Sequence, residues 1–107
     1  GVIVRQLVDE KSLTTGQALV DKKIMDMISM VNDNLKNNFQ IDVKEVFSSN
    51  PLIFTTTEQW KIYFDPTLDI NMQITKMNLL LKNSITPAIR KNLKYIYLQY
   101  KDRAYYK

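Results

Sequence analysis

Cysteine and histidine are both absent from this chain of 107 residues. Without cysteine, the chain has no disulfide framework and no thiolate nucleophile. Without histidine, it lacks the commonest general base, and Ser-His and Cys-His nucleophile pairs are excluded. The usual zinc sites are excluded as well, because they are built from these two residue types.

Glycine and proline are scarce, with two and three residues respectively. A glycine-rich phosphate loop is therefore excluded, and so is a linker or a low-complexity segment. The best candidates for paired carboxylates are Asp65 and Asp69, which flank Pro66. Acids in such a position mark a strand end and a helix cap more often than a catalytic pair. The sequence thus predicts that the protein is not an enzyme and needs no cofactor or metal.

Long apolar runs are also missing. No stretch of about 18 apolar residues occurs, so no segment is predicted to span a membrane by itself. No signal peptide is recognisable, because Gly1 leads directly into a strand-like run; such a start is typical of an excerpt from a longer protein. Fifteen basic and eleven acidic residues give a net charge of +4. The lysines are dispersed, so this charge does not by itself require a nucleic-acid partner.

The last fourteen residues, 94–107, are the most informative stretch that is present. Branched and aromatic side chains alternate over residues 95–100, which is the period of a strand with one buried face. Lys101-Asp102 interrupts this pattern, and residues 103–107 are predicted to form a return strand. Five of the six tyrosines lie on this predicted hairpin, which is more than a core requires.

Three interpretations of this predicted hairpin remain open. It can be an ordinary sheet edge that Lys94, Lys101 and Lys107 protect against aggregation. It can instead be a docking strand for another chain. In a third interpretation, the tyrosines and lysines form a module that stacks on single-stranded nucleic acid. Salt dependence separates the last two, because phosphate binding weakens steeply with salt.

The front of the chain is predicted to be a strand and a helix. Residues 2–8 form the strand, and Thr14 or Thr15 can then cap an amphipathic helix that ends at Asn37-Asn38. The apolar positions of this helix recur at helical spacing: Val20, Ile24, Met27, Ile28, Val31 and Leu35. A second strand is expected to begin on leaving the helix, at Phe39, and a turn follows at residues 48–51.

A hairpin is predicted over residues 52–57 and 60–65, around Glu58-Gln59. A two-residue loop would pair Thr55 with Ile62. The core face would then hold Ile53, Trp60, Ile62 and Phe64. Tight hairpin turns favour glycine or asparagine at positive φ, which this loop does not offer, so a longer or strained loop is the alternative.

A second helix is predicted up to about Lys82, with Thr67 or Asp69 as its cap. Its apolar face consists of Ile70, Ile74, Met77 and Leu81, and its exposed side includes Gln73 and Lys76. Thr86 followed by a proline starts one further short turn of helix. We therefore predict an α+β fold in one domain, residues 1–107. Its mainly antiparallel sheet, in the order β-α-β-β-β-α-β-β, packs two amphipathic helices on one face.

Several of these features match a known pattern in order and spacing. A threonine-rich strand, residues 55–57, leads to a strand that opens with Trp60, and the next helix carries Gln73, Lys76, Met77, Leu80 and Leu81. The closing strand has Tyr95, Ile96, Leu98 and Tyr100, and Arg103 begins the last one. This combination resembles the extracytoplasmic β domain of the FtsQ/DivIB family of bacterial cell-division proteins. The resemblance covers essentially the whole chain, weakly at its front.

The resemblance implies a non-enzymatic scaffold that links early and late proteins of the divisome. In this family a cytoplasmic tail, one membrane helix and a small POTRA domain precede the β domain. It therefore implies a single-pass cell-membrane protein with this domain on the extracytoplasmic side. The family's closing strands bind the FtsB/FtsL (DivIC/FtsL) complex, whose strand extends the sheet. Carried over by position, the partner-binding residues are Gln99, Tyr100, Lys101, Asp102, Arg103 and Tyr105.

The chain departs from the family pattern at four positions. Gln59 and Lys101 replace glycines, Tyr97 replaces an aspartate, and Gln99 replaces an arginine. The missing arginine removes a bidentate donor for a carboxylate. A partner acid used elsewhere in the family is therefore expected to be missing or shifted here.

Overall fold

The structure is a computed structural model that describes residues 2–5 and 22–107. The elements in chain order are β1 (Ile3–Arg5), α1 (Lys22–Phe39), β2 (Val43–Phe47), β3 (Leu52–Thr56), β4 (Lys61–Phe64), α2 (Ile70–Asn83), α3 (Pro87–Arg90), β5 (Tyr95–Tyr100) and β6 (Arg103–Tyr106). The predicted cap at Thr14 or Thr15, and the part of the first strand beyond Arg5, lie outside the described residues.

The strands form one six-stranded sheet in the order β1-β2-β3-β4-β5-β6. Three pairings are antiparallel, β2–β3, β3–β4 and β5–β6, and two are parallel, β1–β2 and β4–β5. The α+β class is therefore as predicted, but the sheet is mixed. Both parallel pairings join strands that a helical segment separates in the chain, because a parallel neighbour requires a crossover connection.

Cross-strand pairing defines the two faces of the sheet. One row of paired residues lies on the core face: Val4, Val46, Phe54, Ile62, Ile96 and Tyr106. The next row lies on the opposite face, because successive residues of a strand point to opposite sides: Phe47, Ile53, Tyr63, Tyr97 and Tyr105. The core therefore occupies one face of the sheet only.

Both long helices pack on the core face. Their buried side chains belong to the same hydrophobic cluster as the buried strand residues. The side-chain amides of Asn34 in α1 and Asn78 in α2 exchange hydrogen bonds of 2.7 and 3.1 Å. This reciprocal pair fixes where the two helices meet.

Helix α1 buries four of the predicted apolar residues, Met27, Ile28, Val31 and Leu35. It continues to Phe39 and ends because Gln40 takes a left-handed conformation, with φ at 55°. The amides of Gln40 and Ile41 then bond back to the carbonyls of Lys36 and Leu35. The prediction of a strand starting at Phe39 is therefore wrong, and β2 begins at Val43.

The β3–β4 hairpin is offset by one residue from the predicted register. Phe54 pairs with Ile62, and the Thr56 amide bonds to the Trp60 carbonyl across a loop of three residues, 57–59. Trp60, Ile62 and Phe64 are buried as predicted. The prediction that Ile53 shares this face is wrong. The third loop residue shifts the pairing of β3 by one residue, which puts Leu52 and Phe54 on the core face and Ile53 on the opposite one.

The helix caps in the second half follow the prediction. Asp69 caps α2 by accepting hydrogen bonds from the amides of Asn71 and Met72, and Thr86 caps α3 by accepting one from Ile89. The predicted exposure of Gln73 is wrong, since this residue is 2% exposed. Its amide group binds both backbone groups of Asp65, at 2.7 and 2.9 Å, and so holds the β4–α2 connection.

Candidate docking hairpin

Strands β5 and β6 form the predicted terminal hairpin, which we define as residues 95–107. The two-residue turn Lys101-Asp102 joins them, and Tyr100 pairs with Arg103 beside it. Tyr97 pairs with Tyr105, so two residues of β5, Leu98 and Gln99, stand opposite one residue of β6. This count is that of a β-bulge, which bends a strand and re-aims its side chains.

Strand β6 is the last strand of the sheet, and its outer side has no partner among the described residues. Tyr95 and Lys107 exchange backbone hydrogen bonds of 3.2 and 3.1 Å. In an antiparallel ladder, bonded and non-bonded pairs alternate. The backbone groups of Tyr106, which pairs with Ile96, therefore point away from β5, whereas those of Tyr105 point inward. Tyr106 offers an outward N–H and C=O to a further strand.

The structure brings together most of the residues predicted to bind a partner. The rings of Tyr100 and Tyr105 meet edge to face at 5.5 Å, and they are 47% and 43% exposed. An Arg103 Nη1–H donates to the Tyr105 hydroxyl at 3.4 Å. Lys101 and Asp102 are exposed in the turn.

Gln99 is the exception among these residues. It is only partly exposed, and its Oε1 atom is buried without a hydrogen-bond partner among the residues that the structure describes. The structure therefore does not present the Gln99 side chain in the way that it presents Tyr100 and Tyr105. Strict alternation predicts that Tyr100 lies on the buried face with Ile96 and Leu98. The bulge interrupts this alternation, and Tyr100 is exposed instead.

The face of the sheet opposite α1 and α2 carries a cluster of tyrosines. Tyr63 and Tyr97 meet edge to face at 4.7 Å, and Tyr95 stacks on Tyr97 at 4.2 Å. Tyr105 pairs directly with Tyr97 and forms the more exposed end of this cluster. We call these residues, together with Tyr100, the tyrosine face. Desolvation raises the pKa of Tyr97, and the neighbouring Tyr63, Tyr95 and Tyr100 raise it further.

Lys76 joins α2 to the terminal hairpin. Its ammonium donates to the backbone carbonyls of Tyr100 at 2.6 Å and of Leu98 and Arg103 at 3.2 Å. Helical spacing placed Lys76 on the exposed side, but the residue is only partly exposed. Burial lowers the pKa of this ammonium, and the Asp102 carboxylate opposes that shift.

Sequence reasoning missed three features of this region: the contacts of Lys76, the outward backbone of Tyr106 and the inclusion of Tyr63 in the tyrosine face. The alternation of residues 60–65 could have separated Tyr63 from the core residues Ile62 and Phe64. Nothing in the local sequence indicates the Lys76 contacts, because their acceptors lie 22 to 27 residues away.

Other kinds of site are not found in the described part of the chain. Residues 2–5 and 22–107 contain no group of three or more acidic side chains close enough to hold a metal ion. None of the helices within these ranges is long and apolar enough to cross a membrane.

No protein-family model fits the chain, and no curated protein sequence is significantly similar to it.

Proposed function

We propose that this chain is a non-enzymatic docking domain that accepts a strand from a partner protein at the free edge of β6. Following the resemblance to the FtsQ/DivIB family, the partner is an FtsB/FtsL-like (DivIC/FtsL-like) protein of the bacterial divisome. The native protein would then be a membrane-anchored scaffold with this domain on the extracytoplasmic side, acting in septum formation.

The free edge of β6 is the observation that supports this proposal most directly. The Tyr106 N–H and C=O point away from β5, and unpaired backbone groups of an edge strand are a template for strand addition. Tyr100 and Tyr105 lie beside this edge with about half of their surface exposed. Large aromatic side chains of this kind dominate many interfaces, since they bury a large area at low entropic cost.

Charge beside the edge favours a particular partner chemistry. Arg103 is exposed and donates to the Tyr105 hydroxyl, Lys101 is exposed in the turn, and Lys107 follows β6. The single nearby acid on the hairpin is Asp102. A partner strand with an acidic residue next to an apolar or aromatic one would meet both the guanidinium of Arg103 and the ring of Tyr105.

The test is a titration of the domain with the extracytoplasmic segments of the FtsB-like and FtsL-like proteins from the same organism. Tyr106→Pro removes the outward N–H and should abolish binding while the fold is retained, because an outward N–H makes no bond within the sheet. Tyr105→Pro removes an inward N–H and should lower the melting temperature, because it breaks the β5–β6 ladder.

Tyr106→Ala is the matched control for the first variant, since it removes the ring but keeps the N–H. If strand addition supplies the affinity, Tyr106→Ala binds more tightly than Tyr106→Pro. Unchanged binding by Tyr106→Pro, or by a chain that lacks the last five residues and still folds, would contradict the docking edge.

The tyrosine face favours a second candidate function, the binding of single-stranded nucleic acid. Tyr95 and Tyr97 are stacked, Lys61 is exposed on the same face next to Tyr95, and stacking on tyrosine is tolerant of base sequence. Titration with an oligonucleotide at two salt concentrations tests this function. A strongly salt-dependent affinity that Tyr97→Ala removes would favour it over strand addition.

A further inference from the structure

The terminal hairpin lacks the residues that normally hold a two-residue turn. Tight hairpins favour turns with glycine or asparagine at positive φ, because the twist of such turns matches that of the strands. Among the described residues, only Gln40 and Gln59 have positive φ outside glycine, so Lys101 and Asp102 do not. Other turn types tend to splay the strands that they join.

The bulge adds a second weak point to the same hairpin. Because Leu98 and Gln99 stand opposite one residue of β6, the ladder is interrupted between the Tyr97–Tyr105 and Tyr100–Arg103 pairs. Gln99, whose buried Oε1 has no hydrogen-bond partner within residues 2–5 and 22–107, lies in this interruption. The ladder and the turn therefore hold β6 less firmly near the turn than a regular hairpin would.

Lys76 supplies an additional contact. Two of its acceptors, the Leu98 and Tyr100 carbonyls, belong to β5, and the third, the Arg103 carbonyl, belongs to β6. An ammonium has three N–H donors, so all of them are used. One side chain thus ties both strands, at the turn and at the bulge, to the rigid helix α2.

We propose that Lys76 is a positioning residue for the docking edge: its ammonium holds the bulged terminal hairpin in the geometry that accepts a partner strand. This inference rests on the proposed function of β6. Lys76 acts through the hairpin backbone and need not touch the partner. Burial lowers the pKa of its ammonium, as expected for an ammonium that is partly removed from water.

The first arm of the test uses amide hydrogen exchange on the domain alone. Lys76→Met keeps the length of the side chain but has no donor. It should speed exchange of the inward Tyr105 and Lys107 amides by about tenfold or more, as expected for the loss of a charge-assisted hydrogen bond. The amides of the central strands β3 and β4 should exchange as before. Lys82→Met is the matched control, since Lys82 is exposed in the last turn of the same helix.

The second arm is the titration with the FtsB-like and FtsL-like segments. Lys76→Met should weaken binding by about tenfold or more, Lys82→Met should not, and Lys76→Arg should recover part of the loss because it restores a cationic donor. Unchanged exchange, or faster exchange with full affinity, would overturn the role of Lys76 alone. Failure of the unsubstituted domain to bind either segment would instead overturn the proposed function, whatever the exchange shows.

Discussion

Gln59 and Gln40 are the two non-glycine residues with positive φ in the described part of the chain, at 81° and 55°. Gln59 ends the three-residue β3–β4 loop, and its amide bonds to the Thr56 carbonyl at 3.0 Å. A left-handed residue in this position is typical of three-residue hairpin loops and is normally glycine. The side chain of Gln59 therefore adds strain that the loop does not need.

Replacing Gln59 with glycine should stabilise the domain. The expected gain is about 1 kcal/mol, because glycine has no Cβ to oppose positive φ. For a domain near 100 residues, this corresponds to a rise in Tm of roughly 4–8 °C. Gln59→Ala is the control, since it keeps the Cβ and should gain little. A fall in Tm for Gln59→Gly would mean that the glutamine side chain makes a stabilising contact in solution.

Strand β4 is held at its start by contacts to two other elements. Trp60 is fully buried, and its indole N–H donates to the Glu58 carboxylate at 3.0 Å. The same carboxylate accepts two hydrogen bonds from Arg90 of α3, at 2.8 and 3.1 Å. The indole of Trp60 therefore connects the core to the loop, and the carboxylate of Glu58 connects the loop to the short helix.

Trp60→Ala should destabilise the domain by about 3–5 kcal/mol, the range for large aromatic residues in cores. Trp60→Phe retains most of the buried area and loses the hydrogen bond to Glu58, so its cost should be clearly smaller. Denaturant unfolding of the three proteins measures the difference. Equal stability of Trp60→Ala and the unsubstituted domain would contradict the central position of Trp60.

The whole molecule has its two long helices on one face of the sheet and five of its six tyrosines on the other. Near the centre of the tyrosine face, Tyr97 has a pKa above its ordinary value. Above pH of about 10, the unfolded chain releases this phenolic proton while the folded chain retains it. The contribution of Tyr97 to the stability of the domain is therefore complete below that pH. It is lost as pH rises through the raised pKa that Tyr97 has in the folded state. Lys76 has the opposite effect on stability. Folding lowers the pKa of its ammonium, so its contribution makes the domain more stable as pH rises towards the ordinary lysine pKa.

Stability should consequently fall as pH rises above about 10, and less steeply in Tyr97→Phe. Comparing this variant with the unsubstituted domain removes the common contribution of lysines and other tyrosines. Tyr106→Phe is the control, because Tyr106 lies on the core-face row and outside the tyrosine face. Thermal melts across this range measure the slopes, and identical slopes for all three proteins would contradict the raised pKa of Tyr97.

The sequence by itself determined the features that depend on near neighbours in the chain. Alternation identified the terminal hairpin and the buried set Trp60, Ile62 and Phe64, and short-range capping chemistry identified Asp69 and Thr86. The position of β6 at the edge of the sheet, as found among the described residues, could also be expected, because the return strand of a hairpin has only one certain neighbour. The partner that would bind there comes from the resemblance and stays a prediction.

Only the tertiary structure decided what depends on distant residues. Alternation shows which residues of one strand share a face, but it does not show how that strand is aligned with its neighbour. One extra loop residue therefore changes the alignment of β3 with β4 and puts Ile53 outside the core. Helical spacing made Gln73 and Lys76 look exposed, since it cannot reveal a backbone segment that folds over the helix. Gln73 is buried because it binds Asp65, and Lys76 finds its carbonyl partners on strands that the chain reaches 22 to 27 residues later.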